Sequence, residues 1–284
     1  MTTWSFDAIG TRWEIETATE LSGARRAAVQ ARINAFDAEW SRFRGDSVVA
    51  QLAVNGGAVS APADTVAMLD AYRELSVATG GAVNPLVGAG LESLGYGAAL
   101  TLHSGSPRPA PSDWERMLRW TASELSLAEP AMIDVGALGK GRLVDLVHAL
   151  LADLSGPVIV DASGDLIVRG GGIRVALEHP YDATRAIGVV RVEDQALCAS
   201  ATNRRAWGSG LHHVLDARTG EPVRTWAATW AIAPDAMRAD AIATALFFDG
   251  GPELAGRWGV PWVRMSTDGR VQRSNDFSGE LFTR

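Results

Sequence analysis

Cysteine and lysine are almost missing from this chain of 284 residues, which holds one of each, Cys198 and Lys140. A single thiol excludes a disulfide framework and a zinc site built from several thiolates. Cys198 itself reads as a small buried hydrophobe rather than a nucleophile. No apolar run approaches the ~18 residues of a membrane span, so membrane insertion is not expected. The start, MTTWSFDAIGTRW, lacks the basic and apolar regions of a signal peptide, and the expected compartment is the cytoplasm. Basic charge is also in short supply. Against 33 acidic side chains there are 26 basic ones, giving a net charge of −7, which argues against a non-specific nucleic-acid binder. What remains is 47% hydrophobic and 21% charged, the make-up of an ordinary globular protein with enough chain to bury a core.

The lysine count carries information. Arginine fills 25 of the 26 basic positions, as a GC-rich coding bias would produce wherever charge alone matters. A lysine that survives the bias points to a need for a compact ammonium rather than a planar fork. Lys140 sits in Gly136-Ala-Leu-Gly-Lys140-Gly141, among three glycines.

Periodicity predicts the elements. Thr3 to Glu16 alternates and reads as a hairpin around Gly10. Ser22 to Phe43 reads as a helix with Ala28, Ile33, Phe36 and Trp40 inward. Asp46-Ser47 caps a short helix from Val48 to Ala53, and Pro62 to Thr79 is another, ended by Gly80-Gly81. Gly81 to Gly97 is an apolar loop or irregular helix. Ser104 to Ser112, with three prolines, is an exposed excursion rather than a domain boundary, because the flanking segments are too short for separate cores. A strand at Leu125–Leu127, then Ile133-Asp134, precede a helix from Arg142 to Leu154. Strands follow at Val158–Asp161, Asp165–Arg169, Ile173–Glu178, Ala186–Val192, Ala196–Ala199, His212–Leu215 and Thr225–Ile232. A helix from Met237 to Phe248 and strands near Pro261–Met265 and Val271–Ser274 close the chain. Adjacent short strands favour one α+β domain over residues 1–284, with mostly antiparallel sheets flanked by helices.

Four segments could carry chemistry. In Asp134-Val-Gly-Ala-Leu-Gly-Lys140-Gly141, glycines let backbone N–H groups approach an anion at a helix start, with Lys140 as a point charge for phosphate. The plainer reading is a tight turn with Lys140 solvated. In Met237-Arg-Ala-Asp240-Ala-Ile-Ala-Thr244, Asp240 and Thr244 share one helix face. A carboxylate plus a hydroxyl is hard-oxygen ligation suited to Mg²⁺; alternatively both serve their own helix. In His212-His213-Val-Leu-Asp216-Ala-Arg218-Thr219-Gly220, the two histidines face opposite sides of a strand. One could be a base or a phosphate contact, or both could sit at sheet edges beside an ordinary turn. Ala162-Ser163-Gly164-Asp165 reads most simply as a hairpin turn.

Taken in order, these segments resemble the ApbE family, the FAD:protein FMN transferases. Ala8-Ile-Gly-Thr11 is similar to the family's Met-Gly-Thr. Trp40-Ser-Arg-Phe43 through Asp46-Ser47 is similar to its S-x-(F/Y)…D-S, and Gly81-Ala-Val-Asn84-Pro with Gly95-Tyr-Gly97 to its G-x-F-D-P…W-G-F-G. Asp134 to Asp145 follows D-L-G-x-x-A-K-G-x-x-x-D. Ser163-Gly-Asp165 sits at Gly-Gly-Asp. His213-Val-Leu-Asp216 to Pro222 follows H-I-x-D-P-x-T-G-x-P, and Ala239 to Leu246 follows A-D-A-L-A-T-A-L. Departures are Ile9 for Met, Asn84 for Asp, Leu86 for Thr, Ala53 near the usual Asn, Gly139 for Ala, Ser163 for Gly and Ala199-Ser-Ala201 for Thr-Ser-Gly.

The resemblance implies an ApbE-like, T-fold-like domain in which FAD is the substrate. A threonine of an acceptor protein with an FMN-binding motif takes the FMN moiety, and AMP leaves. It implies flavin contacts at Ile9, Phe43, Ala82, Val83, Asn84, Asp134, Lys140 and Val214. It implies Mg²⁺ at Asp240 and Thr244 with backbone carbonyls at Ala137 and Ala243, and catalytic roles for Lys140 and His213. The alternatives are a Mg²⁺-dependent FAD pyrophosphatase giving FMN and AMP, and a non-catalytic FAD-binding protein.

Overall fold

The structure, a computed structural model, describes residues 1–102, 105–204, 206–208 and 210–282. In chain order it runs β1 (Thr2–Ala8), β2 (Thr11–Thr17), α1 (Gly23–Trp40), α2 (Val48–Asn55), β3 (Gly57–Ser60), α3 (Thr65–Ala78), α4 (Gly88–Ser93), α5 (Trp114–Met117), β4 (Leu118–Trp120) and β5 (Glu124–Leu127). It continues through α6 (Gly139–Ala149), β6 (Val158–Asp161), β7 (Asp165–Arg169), β8 (Gly172–His179), β9 (Asp182–Glu193) and β10 (Ala196–Ala201). Four two-residue strands follow: β11 (Ala206–Trp207), β12 (Leu211–His212), β13 (Leu215–Asp216) and β14 (Glu221–Pro222). The chain closes with β15 (Trp226–Ala233), α7 (Ala236–Ala245), α8 (Gly251–Trp258), β16 (Trp262–Ser266), β17 (Val271–Arg273) and β18 (Glu280–Leu281).

An eight-stranded sheet in the order β1-β2-β6-β7-β10-β15-β16-β17 organises the molecule, and each of its pairings is antiparallel. Smaller sheets β18-β9-β8 and β3-β5-β4 lie beside it. The expected α+β architecture with antiparallel sheets is what the chain forms. The centre of the large sheet is buried on both faces, so β15 reads as an apolar run with all eight residues buried. Along it, Ala231 and Ala233 join the core under the helices, while Ala228, Trp230 and Ile232 join a second core with β8 and β9. Period-two alternation thus feeds two cores from one strand.

Helix ends depart from the sequence reading for local reasons. Ser22 caps α1 by accepting the N–H of Arg25, and Ser47 caps α2 by accepting that of Ala50. On α1 the inward residue is Val29 rather than Ala28, which is exposed. The helix stops at Trp40 instead of Phe43, because Ser41 turns to extended backbone and Arg42 points inward to its partners. Helix α6 ends at Ala149, not Leu154. The carbonyls beyond it are taken by arginines: Leu150 by Arg25, and Leu151 and Leu154 by Arg169. Similarly, the strand expected over His212–Leu215 is split, because the Val214 N–H donates to the His212 ring. Helix α8 and strands β3 and β4 have no counterpart in the sequence reading. The proline-rich excursion is exposed over residues 105–109; Ser104, its expected start, lies outside the described residues.

Candidate functional site

At Gly141, α6 packs directly against the first turn of α7. A Cβ on it would lie 2.2 Å from the Ala236 carbonyl oxygen and 2.7 Å from Asp240 Cβ, so this crossing admits only glycine. The Gly141 N–H donates to Asp240 Oδ2 at 2.9 Å. In return, Asp145 of α6 accepts the N–H groups of Ala236 at 2.7 Å and Met237 at 3.0 Å. Each helix therefore supplies a carboxylate to the first turn of the other, where N–H groups have no partner within the helix and the dipole favours negative charge. Burial pushes the Asp145 carboxyl up to about 6, against the two backbone bonds that lower it. Asp240 is buried, and Thr244 stands one turn further along α7.

The segment before α6 is pinned from three sides. Asp134 accepts the Gly136 N–H at 2.7 Å and the Nε of Arg42 at 2.5 Å. Tyr72 donates its hydroxyl to the Asp134 carbonyl at 2.9 Å and accepts the Ala137 N–H at 3.2 Å. Its phenol is pushed well above the ordinary value by burial first, then by the nearby Asp134 and Asp240 charges. Arg42 also donates to the Tyr96 carbonyl at 2.7 Å, and its guanidinium lies 4.2 Å from the centre of the Phe43 ring.

Lys140 lines the cavity and is only partly exposed, because protein acceptors hold its ammonium. Its Nζ donates to the carbonyls of Ala162 at 3.2 Å and Ser163 at 3.4 Å, and pairs with Asp165 at 3.2 Å. The lysine thus ties α6 to the turn between β6 and β7. Ser163 holds a positive φ of 55°, a conformation that suits the family's glycine better than serine. Its hydroxyl donates to the Arg12 carbonyl at 2.8 Å. Ile9 in the β1–β2 turn also has a positive φ, 46°, which is rare for a β-branched residue.

The two histidines separate as their spacing requires. His212 is buried, with Nε2 bonded to the Val223 carbonyl at 2.9 Å and Nδ1 accepting the Val214 N–H at 3.3 Å. Burial lowers its pKa, so it is a neutral strut. His213 faces the other way, into a cavity. Asp216 to Gly220 forms the turn between β13 and β14, with Arg218 folded onto Asp216. Cys198 is fully buried; its thiol is pushed well up by burial first, then by nearby carboxylates, and it donates to the Ala236 carbonyl at 3.3 Å.

One cavity of about 970 Å³ collects most of these residues, at the upper end of the ~300–1,000 Å³ of small-molecule sites. Ile9, Phe43, Ala82, Val83, Asn84, Asp134, Ala137, Lys140, His213, Val214, Asp240 and Thr244 all line it. Of the sequence-derived site residues only Ala243 does not. It is fully buried, and its carbonyl accepts the Thr229 hydroxyl at 2.6 Å. The sequence reading missed Arg42, Tyr72 and Tyr96, which build the wall near Asp134. It also missed Glu178 and Arg204, which pair at 2.8 Å beside the cavity. Tyr96 stands in the quoted Gly95-Tyr-Gly97 segment without a role assigned to it, and the others escape because their role comes from side chains meeting across distant segments. Among the described residues no group of three or more His, Cys, Asp or Glu side chains is placed to hold a metal, and no helix is long and apolar enough to cross a membrane.

Comparison with known proteins places this geometry. The model of the ApbE family matches residues 9–258. A FAD:protein FMN transferase of Rhodobacter capsulatus is 26% identical over 246 residues, covering 75% of this chain and 45% of that protein. The chain thus spans a little under half the length of this curated relative. Among solved structures, the ApbE protein of Thermotoga maritima superposes with a TM-score of 0.83 at 21% identity, covering 96% of this chain and 97% of that one. The flavin transferase ApbE of Vibrio cholerae gives 0.79 at 21% identity, with 97% of both chains covered. The apo flavinyl transferase ApbE of Pseudomonas stutzeri gives 0.79 at 20%, covering 96% of this chain and 94% of that one. These three likenesses establish the fold.

Proposed function

The chain belongs to the ApbE family, and from that membership we propose that it transfers the FMN half of FAD to a threonine hydroxyl of an acceptor flavoprotein, releasing AMP. In this reading residues 1–284 act as one flavin transferase domain. The observation that supports it most is the single cavity in which the residues matching the family's motifs meet.

FAD presents a pyrophosphate between two ring systems. Ile9, Phe43, Ala82, Val83, Asn84, Asp134 and Val214 are assigned to its contacts, and all border the cavity. Lys140 stands at the phosphate end as a fixed point charge, its ammonium already oriented by Asp165. The threonine oxygen attacks the phosphorus on the riboflavin side. The bond from that phosphorus to the bridging oxygen breaks, and the bridging oxygen leaves with AMP. The hydroxyl proton passes to the His213 imidazole. Such a transfer depends on positioning and charge neutralisation more than on covalent help.

The oxygen donors fit Mg²⁺. A hard cation in a phosphate site is held by one or two carboxylates, with substrate oxygens completing the shell. Asp240, Thr244 and Ala137 border the cavity, and the Ala243 carbonyl, which lies behind it on the Thr229 hydroxyl, is assigned as the remaining donor. When bound, the cation would neutralise charge on the pyrophosphate.

The test is intact-mass analysis of an FMN-binding-domain protein after incubation with the chain, FAD and Mg²⁺. A gain of one FMN, lost when the acceptor threonine is changed to alanine, is the expected result. Rapid FMN and AMP release without acceptor would make water the acceptor and the chain a pyrophosphatase. FAD unchanged with and without acceptors would leave only a binding protein.

A further inference from the structure

Asp145 borders no part of the cavity, and the transfer described above makes no use of it. Its carboxylate nevertheless holds two N–H groups of α7, those of Ala236 and Met237. Helix α7 already has its own cap, because Asp235 accepts the Arg238 N–H at 2.9 Å. Four N–H groups at a helix start lack partners within the helix, and one ordinary cap satisfies one or two of them. The second carboxylate comes at a cost, since burial disfavours its ionised form. What it secures is position. With Gly141 against Ala236 and Asp240 on the Gly141 N–H, α7 has no room to slide along α6. That contact sets where Asp240 and Thr244 enter the cavity.

We propose that Asp145 is a positioning residue for the Asp240–Thr244 oxygen pair, fixing the first turn of α7 so that the cavity's cation affinity depends on a carboxylate that does not touch the cation. The inference rests on the reading of Asp240 and Thr244 as cation ligands. Outer partners that orient a metal ligand typically change affinity about 10- to 100-fold when removed. The charged groups that act on Asp145 are Arg142 on α6 and Asp235 at the start of α7. A cation beside Asp240 favours an ionised Asp145, and by linkage an ionised Asp145 favours the cation.

The experiment uses the full chain and Mn²⁺ alone, with free Mn²⁺ read by electron paramagnetic resonance. Asp145→Asn offers one acceptor oxygen to two N–H groups. Its expected Mn²⁺ affinity is about 10- to 100-fold weaker than wild type at pH 7.5, and its decline toward pH 5 is shallower than in the wild type. Wild-type affinity in Asp145→Asn across this range overturns the inference. Asp240→Asn separates the two levels. If it too binds Mn²⁺ normally, the cation site itself is misassigned; if it loses binding while Asp145→Asn does not, only the role of Asp145 falls. Should Asp145→Asn fail to fold, the wild-type protein still decides. The carboxyl ¹³C resonance of Asp145 is expected to titrate at lower pH with Mg²⁺ than without, and an unmoved midpoint overturns the inference.

Discussion

Lys140 meets Asp165 at 3.2 Å, and Asp165 is fully buried. The only lysine in the chain therefore places its ammonium over a buried carboxyl. With the carbonyls of Ala162 and Ser163 it faces three acceptors at once, which three rotatable donors on a compact ammonium can serve. A guanidinium spreads its donors in a fixed plane. That difference explains why arginine, which fills the other 25 basic positions, does not stand here.

Removing the ammonium takes a cation away from the buried Asp165 carboxyl. Breaking a buried pair by deleting one partner costs about 3–5 kcal/mol. Lys140→Met should therefore melt well below wild type even without any flavin, and Lys140→Met combined with Asp165→Asn should recover part of the loss. Chemical denaturation of the four proteins in the cycle gives the coupling. A Lys140→Met single variant within about 0.5 kcal/mol of wild type, as expected of a surface lysine, would show that the pair contributes nothing.

Asp240→Ala should abolish Mg²⁺-dependent turnover of FAD while leaving a folded protein. The substitution removes the one carboxylate of the proposed cation site and the acceptor for the Gly141 N–H. The latter loss should lower stability by about 1–3 kcal/mol. Turnover is compared across a Mg²⁺ titration. Near-normal rates for the variant at low Mg²⁺ would refute the ligand assignment.

Stability should depend on pH through Asp145 in a definite direction. Its carboxyl titrates near 3.8 in the unfolded chain and at about 6 in the fold. Between those values the folded protein carries a proton that the unfolded chain has lost. This group's contribution therefore grows as pH falls from about 6 toward 4 and fades as pH rises above 6. Asp145→Asn lacks the titration. The melting temperature of wild type minus that of the variant should increase from pH 7 to pH 5. A constant difference means that the carboxyl is not raised.

Local patterns made much of this fold legible. Short apolar runs located β6 and β7 to the residue, and capping serines located the starts of α1 and α2. Helix ends were legible only roughly, because they are set by arginines from elsewhere, such as Arg169 on the carbonyls after α6. Helix α8 has no counterpart in the sequence reading, although a proline in its first turn suits a helix start. In the site, motif resemblance picked out residues that, Ala243 apart, line one cavity. Asp145 closed one of those motifs, yet its hold on α7 depends on how two helices pack. Arg42 and Tyr72, which position Asp134, belong to no spacing rule and became visible only when distant segments met.

Asn84 is the departure with the clearest physical account. Its Oδ1 accepts the Leu86 N–H at 2.9 Å, and its Nδ2 donates to the Pro111 carbonyl at 2.9 Å. The amide thereby ties the cavity-lining loop to the end of the proline-rich excursion, and it does so while buried. The family's aspartate could keep the first bond but not the second, since an ionised carboxylate has no donor for a carbonyl. Asn84→Asp should therefore destabilise this chain by about 1–3 kcal/mol at pH 7.5, the cost of a buried acceptor facing another acceptor. The deficit has a pH signature. Burial and the Pro111 carbonyl would raise the new carboxyl above its unfolded value. The folded variant then takes up a proton before the unfolded chain does, and the protonated acid can donate to Pro111. The deficit should shrink as pH falls from 7 toward 4. Chemical denaturation of both proteins at pH 7.5, 6 and 4.5 provides the measurement. A variant as stable as wild type at pH 7.5 would mean that the Pro111 bond adds nothing. A deficit that stays constant with pH would mean that the new carboxylate finds a donor this structure does not offer.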